Sequence, residues 1–541
     1  MNRRELLTAF LGAPAAIAAC SRRVEPGLPP GTLAFQPETL GHRLRSAFAM
    51  PVLPEARRER VRVLVVGAGA AGLSAAWRLA RAGVEDFVVL ELDDAPGGTA
   101  RGGNSAVSAF PWGAHYLTVP MREHRALIGL LSEMGVVQGT DAAGDPVVGE
   151  EFLCREPEER LFYKGRWYEG LWLRAGATPE DTRQKNAFDA EIARWAAWRD
   201  GRGRRAFAIP TATASNDAEV MALDRSSMAA WMDERGFTSS RLRWLVDYAC
   251  RDDYGSRLED TSAWAGIFYF ASRLRAANTL AQAVITWPEG NARLIAHLAK
   301  SARGKLRTGL VAADLARNGN AVDVLAMGAT PEETRLLTAE RVIFAGPRFS
   351  AVHAIREWRA APPRFAAEFQ YAPWVVANLT VRERPREGGY PLAWDNVLYD
   401  SPALGYVVAT HQRGVDHGAA VFTWYYPLCG PDRIAERKRA LAVDRDGWAE
   451  IALADLGRAH PDLRGLVDRI DVARWGHAMI APRPGFIASA ARREAREPLG
   501  SIHFAHTDLS GVALFEEAFD HGVRAAEEVL SALGHGEASL R

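Results

Sequence analysis

The chain has 541 residues, 48% of them hydrophobic, and its 66 basic residues balance 66 acidic ones, so the formal net charge is zero. That length allows two or more domains and a core that needs no disulfide staples, and the balanced charge gives no electrostatic case for nucleic acid or another acidic polymer. The four cysteines, Cys20, Cys154, Cys250 and Cys429, are far apart with no CxxC pair, so neither a zinc site nor a disulfide framework is indicated, and no metal is expected.

The first residues read as an address label. Arg3 and Arg4 precede an apolar stretch, Leu6 to Ala19, that is too short to span a bilayer. A charged start, an apolar middle and small residues before a cut form the signal-peptide pattern. The twin arginines resemble a twin-arginine (Tat) export signal. Ile17-Ala18-Ala19-Cys20 resembles a lipoprotein lipobox, in which Cys20 is acylated and becomes the mature N-terminus. The expectations are a signal peptide over 1–20, export to the periplasm and a membrane anchor on Cys20; a plain cleaved signal and a simple leader stay open. The Tat route carries folded proteins, which suits a chain that encloses a cofactor before export. Residues 21–58, rich in Pro and Arg, read as a linker.

Val61 to Val66 is an almost continuous apolar run, as expected of a buried parallel strand. Gly67-Ala68-Gly69-Ala70-Ala71-Gly72 follows at once, then a helical stretch from Leu73 to Ala82, then a second strand, Phe87 to Leu90, ending in Glu91. Gly67 permits the tight turn, Gly69 lets the backbone approach a pyrophosphate, and Gly72 lets helix and strand pack closely. The helix N-terminus, through Ala70 and Ala71, presents free N–H groups and a positive dipole end to phosphates. Glu91 can accept hydrogen bonds from ribose hydroxyls. The arrangement points to a dinucleotide without separating FAD from NAD.

Further along, Trp287-Pro288-Glu289-Gly290 precedes an amphipathic helix over 292–299, Val311 to Met327 reads as a hairpin turning at Asn318-Gly319-Asn320, and Arg341 to Pro347 as a short strand. Ile502 to Ala505 is another short strand. It leads to Asp508 and to a helix with Ala518, Gly522, Ala525 and Ala526 on one face, small residues that allow close packing. Residues 121–284 read as mostly helical. Trp374 to Val381, Asn396 to Tyr399, Tyr406 to Thr410 and Ala419 to Tyr426 read as strands.

Asp94-Ala95-Pro96-Gly97-Gly98 resembles the second glycine pair of flavoproteins with two dinucleotide-binding domains, and most of residues 61–535, closely at the two ends and loosely between, resembles the flavin-containing amine oxidase superfamily. The resemblance implies an α/β fold: a discontinuous Rossmann-like FAD-binding domain (59–120, 285–352 and 471–535) and an α+β substrate-binding domain (121–284 and 353–470). It implies that Gly97, Gly98 and Arg101 meet the flavin phosphates again, with Arg101 two residues later than usual and a solvated loop arginine the competing reading. It places Gly113 and Ala114 of the Pro111–Tyr116 turn beside the isoalloxazine, with Trp112, His115 and Tyr116 readable as core. It gives Asp508 the ribityl chain. No cysteine follows Cys429, so FAD is expected to be non-covalent.

The resemblance further implies removal of a hydride from a C–N bond, in a small-molecule amine or polyamine. Departures qualify this. The lysine that often holds a water near flavin N5 is absent, with no lysine from 306 to 437, and His353 or Arg348 could stand in. The two aromatic cage positions correspond to Ala478 and Leu514, leaving Trp475, His477, Phe515 and Tyr425 to shape the pocket. The expected catalytic residues are therefore His353, Trp475, His477 and Phe515. Glu516 or Glu517 could meet a cationic substrate, or merely suit a helix start. Asp252, Asp253 and Tyr254 read as an acidic mouth or a solvated loop. A desaturase acting on an apolar C–C bond, and a non-catalytic flavin-binding protein, remain alternatives.

Overall fold

The structure, a computed structural model, describes residues 27–35, 38–45, 53–276, 283–536 and 538–541. The expected signal, with Arg3, Arg4 and Cys20, lies outside these residues. In chain order the main elements are β1 (Arg58–Val66), α1 (Ala70–Arg81), β2 (Phe87–Leu90), β3 (Glu159–Tyr163), β4 (Arg166–Glu169), α2 (Pro179–Ala197), α3 (Ser240–Tyr254), α4 (Ala263–Ala271), β5 (Leu306–Arg307), β6 (Val311–Asn318), β7 (Ala321–Met327), β8 (Arg335–Phe344), α5 (Arg348–Ala354), β9 (Tyr371–Val381), β10 (Asp395–Leu398), β11 (Tyr406–Val408), β12 (Ala420–Pro427), β13 (Val467–Ile480), β14 (Ile502–Phe504) and α6 (Phe515–Ala532).

Two seven-stranded sheets organise the chain. The first has the order β5-β2-β1-β8-β7-β6, with β14 also pairing β8. Its centre is parallel: β1 pairs β2 and β8, and β14 pairs β8 beyond the point where β7 leaves it. Val63, Leu64 and Val65 have no accessible surface, because helices cover one face and the β6–β7 hairpin with α5 covers the other. Burying each such side chain contributes about 1.5–3 kcal/mol, which explains the apolar run from Val63 to Val66. The two ends of the chain therefore fold together, with β14 and α6 completing the layer begun by β1 and α1.

The second sheet has the order β13-β9-β12-β11-β10-β3-β4. Every residue of β9 is buried, since α3 lies toward one side and the helices 433–442 and 445–456 toward the other. Three expectations need correcting. Residues 137–169 are not helical: β3 and β4 form a hairpin that joins this sheet, its two-residue turn held by Lys164 and Gly165, both at positive φ. The alternating aromatics around Lys-Gly carry that signal. β13 pairs with β9 along its whole length, so the crossing back to the first sheet falls after residue 480, not at 471. Residues 28–35 are no free linker either, because Ala34 donates to the carbonyl of Val472 and Thr32 hydrogen-bonds Asp471 beside β13. Among the described residues no helix is long and apolar enough to cross a membrane.

Candidate active site

The crevice at the carboxyl ends of β1 and β8 is shaped for a dinucleotide. Gly67 adopts a φ of +99° that only glycine takes without strain. A Cβ on Gly72 would lie 1.8 Å from the Gly67 carbonyl oxygen, so the turn and the helix touch backbone to backbone. A Cβ on Gly522 of α6 would lie 2.2 Å from the carbonyl oxygen of Ala71, so the last helix is pressed onto the first turn of α1. At Gly69, in contrast, a Cβ would meet no protein atom within 4 Å. Gly69 is also the N-cap of α1 and supplies no capping side chain, so the N–H groups of that first turn face open space. Glu91 accepts from the N–H groups of Ala68 and Asp93, and burial raises its pKa.

Gly97 and Gly98 follow at φ +128° and +55°, and Gly97 donates to the carbonyl of Ala68. The glycine pair and the first turn are thus joined. Arg101 is neither solvated nor free: it is paired with Asp93 and Asp94 and lies over the Phe35 ring at 4.5 Å. At the other end, Asp508 has no accessible surface. Its Oδ2 accepts from the Arg348 N–H at 2.7 Å and from the Tyr371 hydroxyl at 2.6 Å. Its Oδ1 accepts from no donor and has His506 Nδ1 at 3.0 Å, a nitrogen that itself accepts from the Asp508 N–H. Burial raises and hydrogen bonds and His506 lower its pKa, with a net lowering, so it stays ionised. Asp508 is thus a covered carboxylate that organises Arg348, Tyr371 and His506. The open first turn of α1 and Glu91 together fit the phosphates and ribose of a dinucleotide.

The Pro111–Tyr116 segment is the wall shared by the two sheets. Gly113 must be glycine, because a Cβ would lie 2.3 Å from the Thr99 carbonyl oxygen, and Ala114 donates to that same oxygen. Three consecutive carbonyls are then held from three strands of the second sheet. Pro111 accepts from Asn378 of β9 at 3.1 Å, Trp112 from Trp475 of β13 at 2.7 Å, and Gly113 from Tyr425 of β12 at 2.9 Å.

Beyond this wall lies a chamber. His115 stacks on Tyr425 at 4.8 Å and lies 5.4 Å from Trp394. Tyr116 donates to Asp253, which also takes two hydrogen bonds from Arg273, and Tyr248 donates to Asp395. His115, Tyr116, Asp252 and Asp395 are half-buried and Glu159 is exposed, yet desolvation dominates the titration of each. Burial, with repulsion from Glu159 and Asp252, raises Asp395 well above its usual range; burial with repulsion from Asp253 raises Asp252 to about 7, and burial with repulsion from Glu158 and Glu156 raises Glu159 to about 7. Burial lowers His115 to about 4, so its ring is neutral.

The residues expected from the sequence are distributed as follows. Trp475 reaches the site, holding the Trp112 carbonyl. His477 stacks on Phe349 at 3.9 Å and accepts from Arg437 at 2.8 Å, and burial with Arg437 lowers its pKa to about 3; it neighbours Tyr371 and hence Asp508, not the carboxylate chamber. Phe515 is buried in the first-sheet core beside Phe519. His353, on α5, has Arg45 and Arg359 as its charged neighbours, and nothing brings it to the chamber. Glu516 and Glu517 are buried and already satisfied: Thr118 donates twice to Glu516, and Thr211 and Ser510 donate to Glu517. They bolt α6 to the rest of the chain and are not offered to a substrate. Tyr254 spends its hydroxyl on the Ala265 carbonyl. Sequence reasoning missed Glu159, Asp395, Arg273 and Asn378.

The family model for an NAD(P)-binding Rossmann-like domain matches residues 65–133. No curated protein matches the chain by sequence. Among solved structures, putrescine oxidase bound to putrescine has a TM-score of 0.63 at 16% identity, the alignment covering 88% of this chain and 100% of that one. Cyclohexylamine oxidase from Brevibacterium oxydans IH-35A gives 0.60 at 18%, over 88% and 99%. A fatty acid isomerase from P. acnes that produces CLA gives 0.60 at 14%, over 87% and 98%. The chain therefore carries a Rossmann-like dinucleotide-binding domain within the mixed α/β fold that it shares with amine oxidases.

Proposed function

We propose that this protein is an FAD-dependent oxidoreductase that holds its coenzyme non-covalently and oxidises a C–N bond of a cationic amine or polyamine. The observation that carries this reading is the chamber, where Glu159, Asp252 and Asp395 face one another against the wall that ends in Gly113 and Ala114. Arg273 is matched by Asp253, which leaves Asp252 and Glu159, both raised to about 7, to exchange protons near neutral pH. Bound FAD supplies the two-electron acceptor for hydride removal.

The chain supplies the rest. Glu91, the first turn of α1, Gly97 and Gly98 hold the coenzyme. Trp475, Tyr425 and Asn378 fix the wall so that the substrate is presented in one orientation. The reacting nitrogen must be neutral, and carboxylates titrating near 7 can take the proton that an ammonium sheds. His115, Trp394, Tyr425 and Tyr248 exclude water on the apolar side. Export through the Tat route and anchoring on Cys20 belong to the same proposal and rest on the sequence alone.

The test is the purified mature chain. Its visible spectrum should show oxidised flavin, and mono-, di- and polyamines should bleach it anaerobically. A loaded flavin that no amine reduces would overturn the amine reading and favour the C–C substrate.

A further inference from the structure

Residues 28–35 are fitted to β13 along their length. The Ile470 N–H donates to the Pro30 carbonyl at 2.9 Å, the Val472 N–H to the Thr32 carbonyl at 2.9 Å, and the Ala34 N–H to the Val472 carbonyl at 2.7 Å. Thr32 adds its own N–H and hydroxyl to Asp471. A Cβ on Gly31 would lie 1.6 Å from the Ile470 carbonyl oxygen, so the two backbones touch where only glycine fits. Leu28 and Leu33 pack on the core of the second sheet. A segment held through its backbone in this way has a fixed register, and that register delivers Phe35 to one place.

The place is the junction of the dinucleotide crevice and the wall. The Phe35 ring lies 4.8 Å from the Trp475 ring and meets the Trp112 ring edge-on at 5.6 Å. Trp475 is the donor that holds the Trp112 carbonyl. The same Phe35 ring carries the Arg101 guanidinium, 4.5 Å from its centre. Arg101 is paired with Asp93 and Asp94, and its stem lies against Gly97, where a Cβ would come within 2.7 Å of the Arg101 Cγ. Gly97 in turn donates to the carbonyl of Ala68 in the first glycine turn. One ring therefore touches both halves: through Arg101 it reaches the glycine pair, and through two tryptophans it reaches the wall. Further on, a Cβ on Gly41 would lie 3.4 Å from the side chain of Leu92, the neighbour of Glu91. Arg43 donates to the Gly328 carbonyl at 2.8 Å, and Leu44 packs on the core of the first sheet. The leading segment is thus anchored on both sheets.

We propose that Phe35 is a positioning residue for the coenzyme, setting the spacing between the Asp93–Arg101 loop, which carries the glycine pair, and the Pro111–Gly113 wall. It acts through Arg101 and Trp475. A guanidinium over an aromatic face and a pair of packed rings fix tilt as well as distance, whereas an aliphatic side chain fills the same space without fixing either. The proposal rests on the coenzyme reading of this domain and is independent of the amine reading.

The experiment titrates the coenzyme-free full chain, Phe35→Leu, Phe35→Tyr and Leu28→Ala with FAD, records the visible circular dichroism of the bound flavin, and measures each urea midpoint. Phe35→Leu keeps an apolar side chain and should stay folded. It should bind FAD about tenfold more weakly and change the visible dichroism, which reports how the flavin ring is held. Phe35→Tyr keeps the ring and should restore both. Leu28→Ala loosens the far end of the same segment, so it should lower the urea midpoint at least as much as Phe35→Leu while leaving both flavin readouts near native. Native FAD affinity and native dichroism in Phe35→Leu overturn the proposal. An equal loss of affinity in Leu28→Ala also overturns it, because the segment would then act through general stability alone. A native chain that takes up no FAD overturns the coenzyme reading and this proposal with it, whereas the expected losses without bleaching by any amine overturn the amine reading alone.

Discussion

Two glycines of the coenzyme crevice should separate folding from coenzyme binding. At Gly522→Ala the new Cβ would lie 2.2 Å from the Ala71 carbonyl oxygen and 2.8 Å from the Ser74 Cβ. Ordinary contacts there are roughly 1 Å longer, so α6 must move away from α1. Overpacking of this kind costs about 1–3 kcal/mol. The displaced Ala71 belongs to the turn that offers its N–H groups, so coenzyme affinity should fall together with stability. At Gly69→Ala the Cβ meets no protein atom within 4 Å, and φ is −72°, ordinary for alanine. Glycine is only modestly better than alanine as an N-cap, so the coenzyme-free chain should lose about 1 kcal/mol or less. Gly69→Val should do little more to that chain, yet both Gly69 variants should lose FAD, Val more than Ala. Urea unfolding followed by tryptophan fluorescence, done without coenzyme, gives the stability difference. A parallel FAD titration gives the affinity. If Gly69→Val retains FAD at native affinity, the phosphates do not lie where the first turn of α1 points and the placement is refuted.

Removing Arg273 should be costly in the coenzyme-free chain, because Asp253 has only 3% of its side chain exposed and would keep just the Tyr116 hydroxyl. Arg273→Met should destabilise by about 3–5 kcal/mol, and Asp253→Leu added to it should recover most of the loss; urea midpoints of the two variants and the double variant check this. Asp252 and Glu159, raised to about 7, should make KM for a diamine fall as pH rises from 6 to 8, since only the ionised forms attract a cation. Asp252→Asn should flatten that profile and raise KM at pH 8 about tenfold. The same shifts act on stability with the opposite sense. The folded pKa lies above the unfolded one, so the folded chain holds extra protons between about 4.5 and 7, and stability should fall as pH rises through that window. Thermal unfolding from pH 5 to 8 should therefore show a smaller decline in Glu159→Gln. Cys20→Ser should release the protein from membranes in a fractionation of its native host or a Tat-competent one, and retention in the membrane pellet would defeat the lipid-anchor proposal.

The dinucleotide half was legible because its signal is local. A parallel strand buried on both faces must be apolar throughout, a turn over phosphate must be glycine, and the acid must end the next strand. Val61 to Glu91 meets all three demands within about thirty residues, and β1, α1 and β2 form there. The chamber was not legible for the converse reason. Glu159, Asp252 and Asp395 come from β3, α3 and the start of β10, and each looks in sequence like a surface acid. Only the parallel pairing of β10 with β3 sets Asp395 opposite Glu159, and only the packing of α3 over that sheet brings Asp252 near both. Asp252 and Asp253 were noticed as a pair, but adjacency concealed their difference: Asp253 is committed to Arg273, while Asp252 keeps its surface. His353 attracted attention for its residue type, and the helix that carries it turns it away.

The way the domains are joined accounts for why so much charge is buried near the site. The first sheet ends in the dinucleotide-shaped crevice, and beside the second sheet lie Glu159, Asp252 and Asp395. Glu516 and Glu517 tie α6 to Thr118 and Thr211, outside the first sheet, while Asn378, Trp475 and Tyr425 hold three successive carbonyls of the Pro111–Gly113 segment from the second sheet. Each tie satisfies a polar group that would otherwise be buried at a cost. The contacts are directional, so they fix register as well as distance. Under the proposed function substrate and coenzyme must meet in such a fixed register, since a misplacement of about 1 Å costs on the order of a hundredfold in rate. If the proposed function holds, replacing Asn378, Trp475 or Tyr425 should lower kcat more than it lowers the urea midpoint, because each holds one carbonyl of the Pro111–Gly113 segment.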